Sequence, residues 1–441
     1  MDAHRKTNAL REWGNKIPQA WTIPSHSRNA DASLPGRVKI WLAISLTLAL
    51  FLGGCSALQE RAPRLGFNRV QDPEPHALTL WAWPAGDEIT AHLQTVTDAF
   101  VQATPGVTVT LTMPDDYAPA LERVLADEQT PDVVQVDLFR LPALVEADAL
   151  APLPADQVDA TDLYPLLREG ASVDGALYCM PDNVNTLALI YNRDLFDAAG
   201  IAYPNADWTW DDLRAAAAAI GDLPTVNFIA FGIALSADVT RWLPFLYQAG
   251  GELVDADGQP LLDSQAATLA LAFYTGLITD GPGVEPAYLA TGWGGEALGN
   301  GRVGMVIEGN WVVPWLDAER PEIDYGVAPL PSGPGGRGTV AFGSCWAVSA
   351  ESDHPEEALA LVRALTATPA MQARIELSPA IPARPSLARI WTAAYPDARP
   401  FLEGLDGARL WQLPPDLQDL PATVNDRLRE MIDEGPTTND Q

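Results

Sequence analysis

Lysine is nearly missing from this chain: Lys6, Lys16 and Lys39 are the only three, so beyond Cys55 arginine is the sole cation besides histidine. Histidine numbers five (His4, His26, His76, His92, His354) and cysteine three (Cys55, Cys179, Cys345). GxSxG, HExxH and CxxC patterns are all absent, which leaves serine, metal and thiol chemistry without a sequence signature. His92 falls on an amphipathic stretch and reads as solvent-facing, while His354 precedes Pro355. An enzyme is therefore not expected, and neither is a cofactor or a metal. Positive charge is also short: 27 Lys and Arg face 58 Asp and Glu, a net charge of -31 spread along the chain. Such a surface repels phosphates and excludes nucleic acid as a partner. What is plentiful is apolar residue, 47% of 441, enough for two or three ordinary domains.

Residues 40–52 (IWLAISLTLALFL) are uncharged, follow Arg37 and Lys39, and lead into Gly53-Gly54-Cys55. The run is short for a membrane span but has the length and flanks of a signal peptide. Its Leu52-Gly53-Gly54-Cys55 ending resembles the lipobox of bacterial lipoproteins, which implies acylation of Cys55 and a lipid anchor on the outer face of the cytoplasmic membrane. Residues 1–37 are polar and unperiodic, and a start at Val38 would give a compact lipoprotein signal, so they read as mis-assigned upstream sequence. Residues 55–77, rich in Pro, Arg, Gln and Glu, read as a flexible tether.

Beyond the tether, strand and helix patterns alternate. Residues 78–83 read as a strand, 88–104 as a helix carrying Ile89, Leu93, Val96 and Phe100 on one face, 107–113 as a strand, 117–128 as a helix and 132–136 as a strand. Strands at 186–191, 228–235, 303–307, 325–328 and 345–349 follow, with helices at 195–199 and 213–220. Thr209 is placed as N-cap of the latter, ahead of Asp211 and Asp212. The last third reads as mostly helical. This alternation predicts an α/β fold with a sheet covered on both faces and ligands at the carboxyl ends of strands.

Four segments resemble the bacterial extracellular solute-binding proteins that deliver sugars, the family of the maltodextrin-binding proteins. They are Asp174-Gly175 through Pro181 with Thr186 to Asn192 and Asp194-Leu195-Phe196; Gly301 to Met305 with Gly309-Asn310-Trp311; Ala328-Pro329-Leu330-Pro331 with Gly333 to Gly336 and Gly343-Ser344; and His354-Pro355-Glu356-Glu357-Ala358 with Ile381-Pro382-Ala383-Arg384. The resemblance implies a type II periplasmic-binding-protein fold of two α/β lobes with a hinge and an interlobe cleft. It places one lobe at 78–182 with 343–384 and the other at 183–342 with 385–441. The crossings fall near residues 181–185, 342–344 and 381–385, which sets Cys179 and Cys345 beside neighbouring hinge strands, where the family usually has glycine. A disulfide between them and two separate buried thiols both remain open. The implied function is capture of a mono- or oligosaccharide and delivery to the transmembrane subunits of an ABC importer by a monomeric, lipid-anchored protein.

Sugar sites combine aromatic platforms with planar hydrogen-bonding groups, because sugars offer C–H faces and edge hydroxyls. Trp311 stands at the family's G-x-W position, whose ring stacks on sugar. Trp83 lies in the first strand-to-helix loop, followed by Asp87, whereas Trp81 reads as core. Trp242 stands where the family places contacts, and Trp293, flanked by glycines, reads as a ligand platform or a lobe-to-lobe contact. Asp137 ends a strand at a contact position and Asn185 falls on a hinge strand. Gly343 and Ser344 are expected to offer backbone N–H groups, and Arg384 either to touch ligand or to lock the lobes. Rival readings are a binder of a polyamine, peptide or phosphorylated polyol, and a structural or adhesion protein.

Overall fold

The computed structural model describes residues 76–125, 130–224 and 229–434. The leader, the apolar run at 40–52, Cys55 and the tether up to residue 75 lie outside the described residues. His76 and Ala77, expected to end the tether, instead begin the first strand, because their backbones pair with Val107 and Thr108.

The first half of the fold runs β1 (His76–Trp81), α1 (Asp87–Ala103), β2 (Val107–Thr112), α2 (Tyr117–Leu125), β3 (Val133–Asp137), α3 (Leu141–Glu146) and α4 (Pro165–Gly170). β1 is parallel to both β2 and β3. Its alternation buries Leu78 and Leu80, and α1 buries Leu93, Thr97 and Phe100 along one stripe. An Asp174-Gly175 turn joins β4 (Ser172–Val173) to β5 (Ala176–Leu177). Both turn residues have positive φ, 51° and 80°, as a two-residue hairpin turn of this kind requires.

β6 (Cys179–Asn192) then leads through α5 (Arg193–Ala199), α6 (Trp210–Gly221), β7 (Phe231–Ala234), α7 (Val239–Gln248), α8 (Gln265–Thr279) and β8 (Gly283–Val284). After these come α9 (Gly294–Gly299), β9 (Val303–Gly309), α10 (Val312–Glu319) and β10 (Tyr325–Ala328). Thr209 caps α6 in a reciprocal box with Asp212. The chain returns through β11 (Thr339–Val348), α11 (Pro355–Leu365), α12 (Thr368–Ile375), β12 (Ile381–Pro382), α13 (Ala388–Ala394), α14 (Arg399–Gly404), β13 (Ala408–Leu410) and α15 (Leu420–Glu434).

Strand order is β2-β1-β3-β11-β6-β9-β7-β8, with β10 and β12 also on β6 and β13 on β11. β6 is the shared member. Its residues 179–186 pair with β11, and its residues 187–191 pair with β9. The sequence suggested only the halves 186–191 and 345–349 of β6 and β11. The missing halves carry Pro181, Asp182, Asn183 and Asn185, residues that ordinarily disfavour a strand and are held here by pairing on both sides. One core gathers Leu80, Val134, Val136, Met180 and Trp346, and a second gathers Leu187, Leu189, Trp242, Phe245 and Tyr274. Cys179 and Cys345 are joined in a disulfide across β6 and β11, with Cα atoms 5.6 Å apart.

Candidate ligand-binding cleft

Strand register builds the floor of the site. Ser344 on β11 pairs with Asp137 on β3 and with Asn183 on β6, and Phe342 pairs with Asn185. Directly opposed residues of a sheet share a face, so Asp137, Ser344 and Asn183 form one polar row and Phe342 and Asn185 the next. Between Ser344 and Cys345 the register slips, leaving Asp182 as the extra residue of a bulge. A bulge re-aims a side chain, and this one brings the Asp182 carboxylate to the row. It accepts from Ser344 Oγ at 2.5 Å, Asn183 Nδ2 at 2.9 Å, Arg374 Nη1 at 2.5 Å and Gln135 Nε2 at 3.3 Å. Asn183 Nδ2 also donates to Ser344 Oγ at 2.7 Å. Asp182 is almost fully buried, and four donors hold it as the hub of a pre-set network.

On the side of β1, Trp83 is half-buried and packs against Tyr117 with ring centroids 4.4 Å apart. Its backbone N–H donates to Gln135 Oε1 at 3.1 Å, and Tyr117 donates its hydroxyl to the Gln135 carbonyl at 2.7 Å. Burial pushes the Tyr117 hydroxyl well above its ordinary range, so it stays a neutral donor that positions Gln135 and Trp83. On the side of β9, the half-buried Trp311 meets Phe342 edge-on at 5.7 Å. Arg241 lies over the Trp311 ring at 5.7 Å and donates to the buried Glu308 at 2.6 Å. Burial pushes the Glu308 carboxyl up, and the Arg241 guanidinium draws it back towards ionisation. Gly309 leaves room for the Trp311 ring to fold back over it, since a Cβ there would stand 2.2 Å from the indole.

Several expected contacts are placed differently. Trp242 is wholly enclosed in the second core, because α7 buries all of its residues but Arg241, so the ring presents no surface to a ligand here. Gly343 pairs with Val184 of β6, and the side-chain ends of Leu138 and Leu167 stand 2.6 and 3.0 Å from where a Cβ on it would be. Arg384 is buried and spends its fork on the Thr366 carbonyl, at 3.2 and 3.0 Å, with Asp159 at 3.5 Å. Trp293 folds over Gly295 and meets Trp315 edge-on at 5.1 Å. Asp137 is ion-paired with Arg140, Asn185 donates to Asn183 Oδ1 at 3.4 Å, and Asp87 is exposed in the first turn of α1. His92, read as solvent-facing, is half-buried, and both its burial and the nearby Arg374 hold its imidazole below the ordinary value.

The residues that sequence reasoning missed are Asp182, Asn183, Gln135 and Arg374. The signal for the first two was present: Pro181-Asp182-Asn183-Val184-Asn185 interrupts an otherwise apolar strand with polar residues that must find partners. Gln135 and Arg374 come from other elements and carry no local mark.

Two α/β halves joined by strands that pass between them, with a hydrogen-bonding floor and an indole at either side, define a binding protein. Residues 95–400 match the bacterial extracellular solute-binding proteins, and the chain belongs to that family. It is 34% identical over 197 residues to a binding protein of Brucella abortus, a match covering 42% of this chain and 46% of the relative. The chain thus spans about half the length of the curated relatives it matches. Among solved structures, the ABC substrate-binding protein of Listeria monocytogenes in complex with cycloalternan superposes with a TM-score of 0.72 at 23% identity, covering 82% of this chain and 95% of that one. A maltose-bound protein of T. maritima superposes with a TM-score of 0.68 at 21% identity, covering 82% and 95%. The fold is that of the periplasmic binding proteins.

Proposed function

We propose that this protein captures a carbohydrate in the cleft above β6 and β11 and delivers it to the transmembrane subunits of an ABC importer. The observation that carries the reading is the pairing of two half-buried indoles, Trp83 and Trp311, with the row of Asp137, Ser344 and Asn183 between them. Indole faces suit the C–H faces of a sugar ring, and amide, hydroxyl and carboxylate groups suit its edge hydroxyls. The cycloalternan held by the Listeria neighbour and the maltose held by the T. maritima neighbour support the same chemistry. Closure of the halves over the guest, residues 78–182 with 343–384 against residues 183–342 with 385–441, excludes water and strengthens these bonds. Acylation at Cys55 would hold the protein at the outer face of the membrane, beside its permease.

A thermal-shift screen against mono- and oligosaccharides tests the reading. A guest that binds only the folded state raises the melting temperature with its concentration, by an amount equivalent to about 2.7 kcal/mol at a hundredfold excess over Kd. A panel in which no sugar moves the midpoint, while a polyamine or peptide does, would replace the carbohydrate.

A further inference from the structure

We infer that His76, His354 and Glu357 form a binding site for a divalent transition-metal ion, zinc being the best fit, at the end of β1 remote from the cleft. The three residues are distant in sequence, and the fold brings them together. His76 is the first residue of β1, His354 caps α11 and Glu357 lies in its first turn. One ligand atom from each lies within 4.8 Å of the other two. The imidazoles stack with centroids 4.2 Å apart and planes inclined by 10°, and His76 Nδ1 stands 2.7 Å from Glu357 Oε1.

The donor set decides the metal. Two imidazoles and one carboxylate suit zinc and its neighbours, whereas magnesium and calcium prefer oxygen alone. Three protein ligands leave a fourth tetrahedral position for water, and all three side chains are partly exposed, so that position is reachable. The His76–Glu357 contact is shorter than the spacing of two ligands around zinc, and near-parallel rings aim their nitrogen lone pairs past any common point, so ligation requires one imidazole to turn out of the stack. The N-terminus of α11 disfavours a cation. Against that stand the paired acids Glu356 and Glu357 in the same turn and the acidity of the whole chain.

The site lies away from the sugar-binding row. β1 has six residues, and at about 3.3 Å per step its five steps set His76 about 17 Å from the end of the strand that leads to Trp83. A bound ion would fasten the first residue of β1 to α11 and stabilise this edge of the sheet without touching the cleft.

Titration of the full chain with Zn2+ alone, followed by calorimetry, and with Co2+, followed by its visible d–d bands, tests the site. The expected result is one ion per chain, a rise in melting temperature on saturation, and Co2+ bands of tetrahedral type. His354→Ala should weaken binding at least tenfold and Glu357→Gln by a smaller factor, while any sugar-dependent melting shift stays unchanged in both. That retained shift, or an unaltered far-UV circular dichroism spectrum, shows that the variants are folded. Absence of saturable binding in the parent chain, or equal binding by folded His354→Ala, would overturn the assignment.

Discussion

At the residue scale, the two tryptophans Trp311 and Trp242 separate binding from packing. Trp311 is half-buried at the row, supported by Phe342 and Arg241, while Trp242 is sealed among Leu243, Phe245 and Tyr274. Trp311→Ala should cost at least tenfold in sugar affinity by calorimetry, with a small effect on the ligand-free melting point. Trp242→Ala should cost about 3–5 kcal/mol of stability in urea unfolding, because it opens a large cavity in a closed core. His92 gives a prediction of opposite kind. Its imidazole is held below the ordinary value by burial and by Arg374, so the folded state binds fewer protons than the unfolded chain. That contribution is fully present above about 6.5 and is lost as pH falls from there through the lowered folded value. His92→Gln should therefore lose less melting temperature than the parent between pH 7.5 and pH 5, and an identical loss would dismiss the coupling.

Elements show how far a single sequence could be read. Thr209 as N-cap of α6 was legible because a cap is local: its hydroxyl meets the Asp212 N–H three residues on, and Asp212 answers. Thr209→Ala should lower stability by about 1 kcal/mol in chemical denaturation, with Asp212→Ala adding little to it, since the two act as one box. β10 was read with the bounds it has, and α1 within a residue, because each shows one clear period. β6 was only half legible. Its apolar half announces a buried strand, and its polar half acquires strand form from β11 and β12 on either side. Of the expected contacts, Trp83, Asp137, Asn185, Trp311, Gly343 and Ser344 stand at or beside the row, Trp242 is enclosed in the second core, and Arg384 bonds Thr366 and Asp159.

For the whole molecule, the disulfide is the strongest constraint on the shared strands. It closes a loop with 166 residues of separation, which in a chain-entropy account is worth roughly 5 kcal/mol in the unfolded state. Reduction, or a Cys179→Ala and Cys345→Ala pair, should lower the melting temperature by several degrees. Sugar affinity should change far less, since neither sulfur stands in the polar row; a loss of affinity equal to that of Trp311→Ala would place the bridge in the site itself.

The sequence alone determined the α/β class, the family, the acidic and nearly lysine-free surface, and most helices, since each rests on composition, on a local period or on motifs in order. Tertiary structure decided which tryptophans stay half-buried beside the polar row and which are core, because burial depends on what packs opposite. It alone assembled the Asp182 hub from four segments and set His76 beside Glu357, 281 residues away. Pairing partners so far apart leave no trace in local pattern, and only the register of the strands brings them within bonding distance.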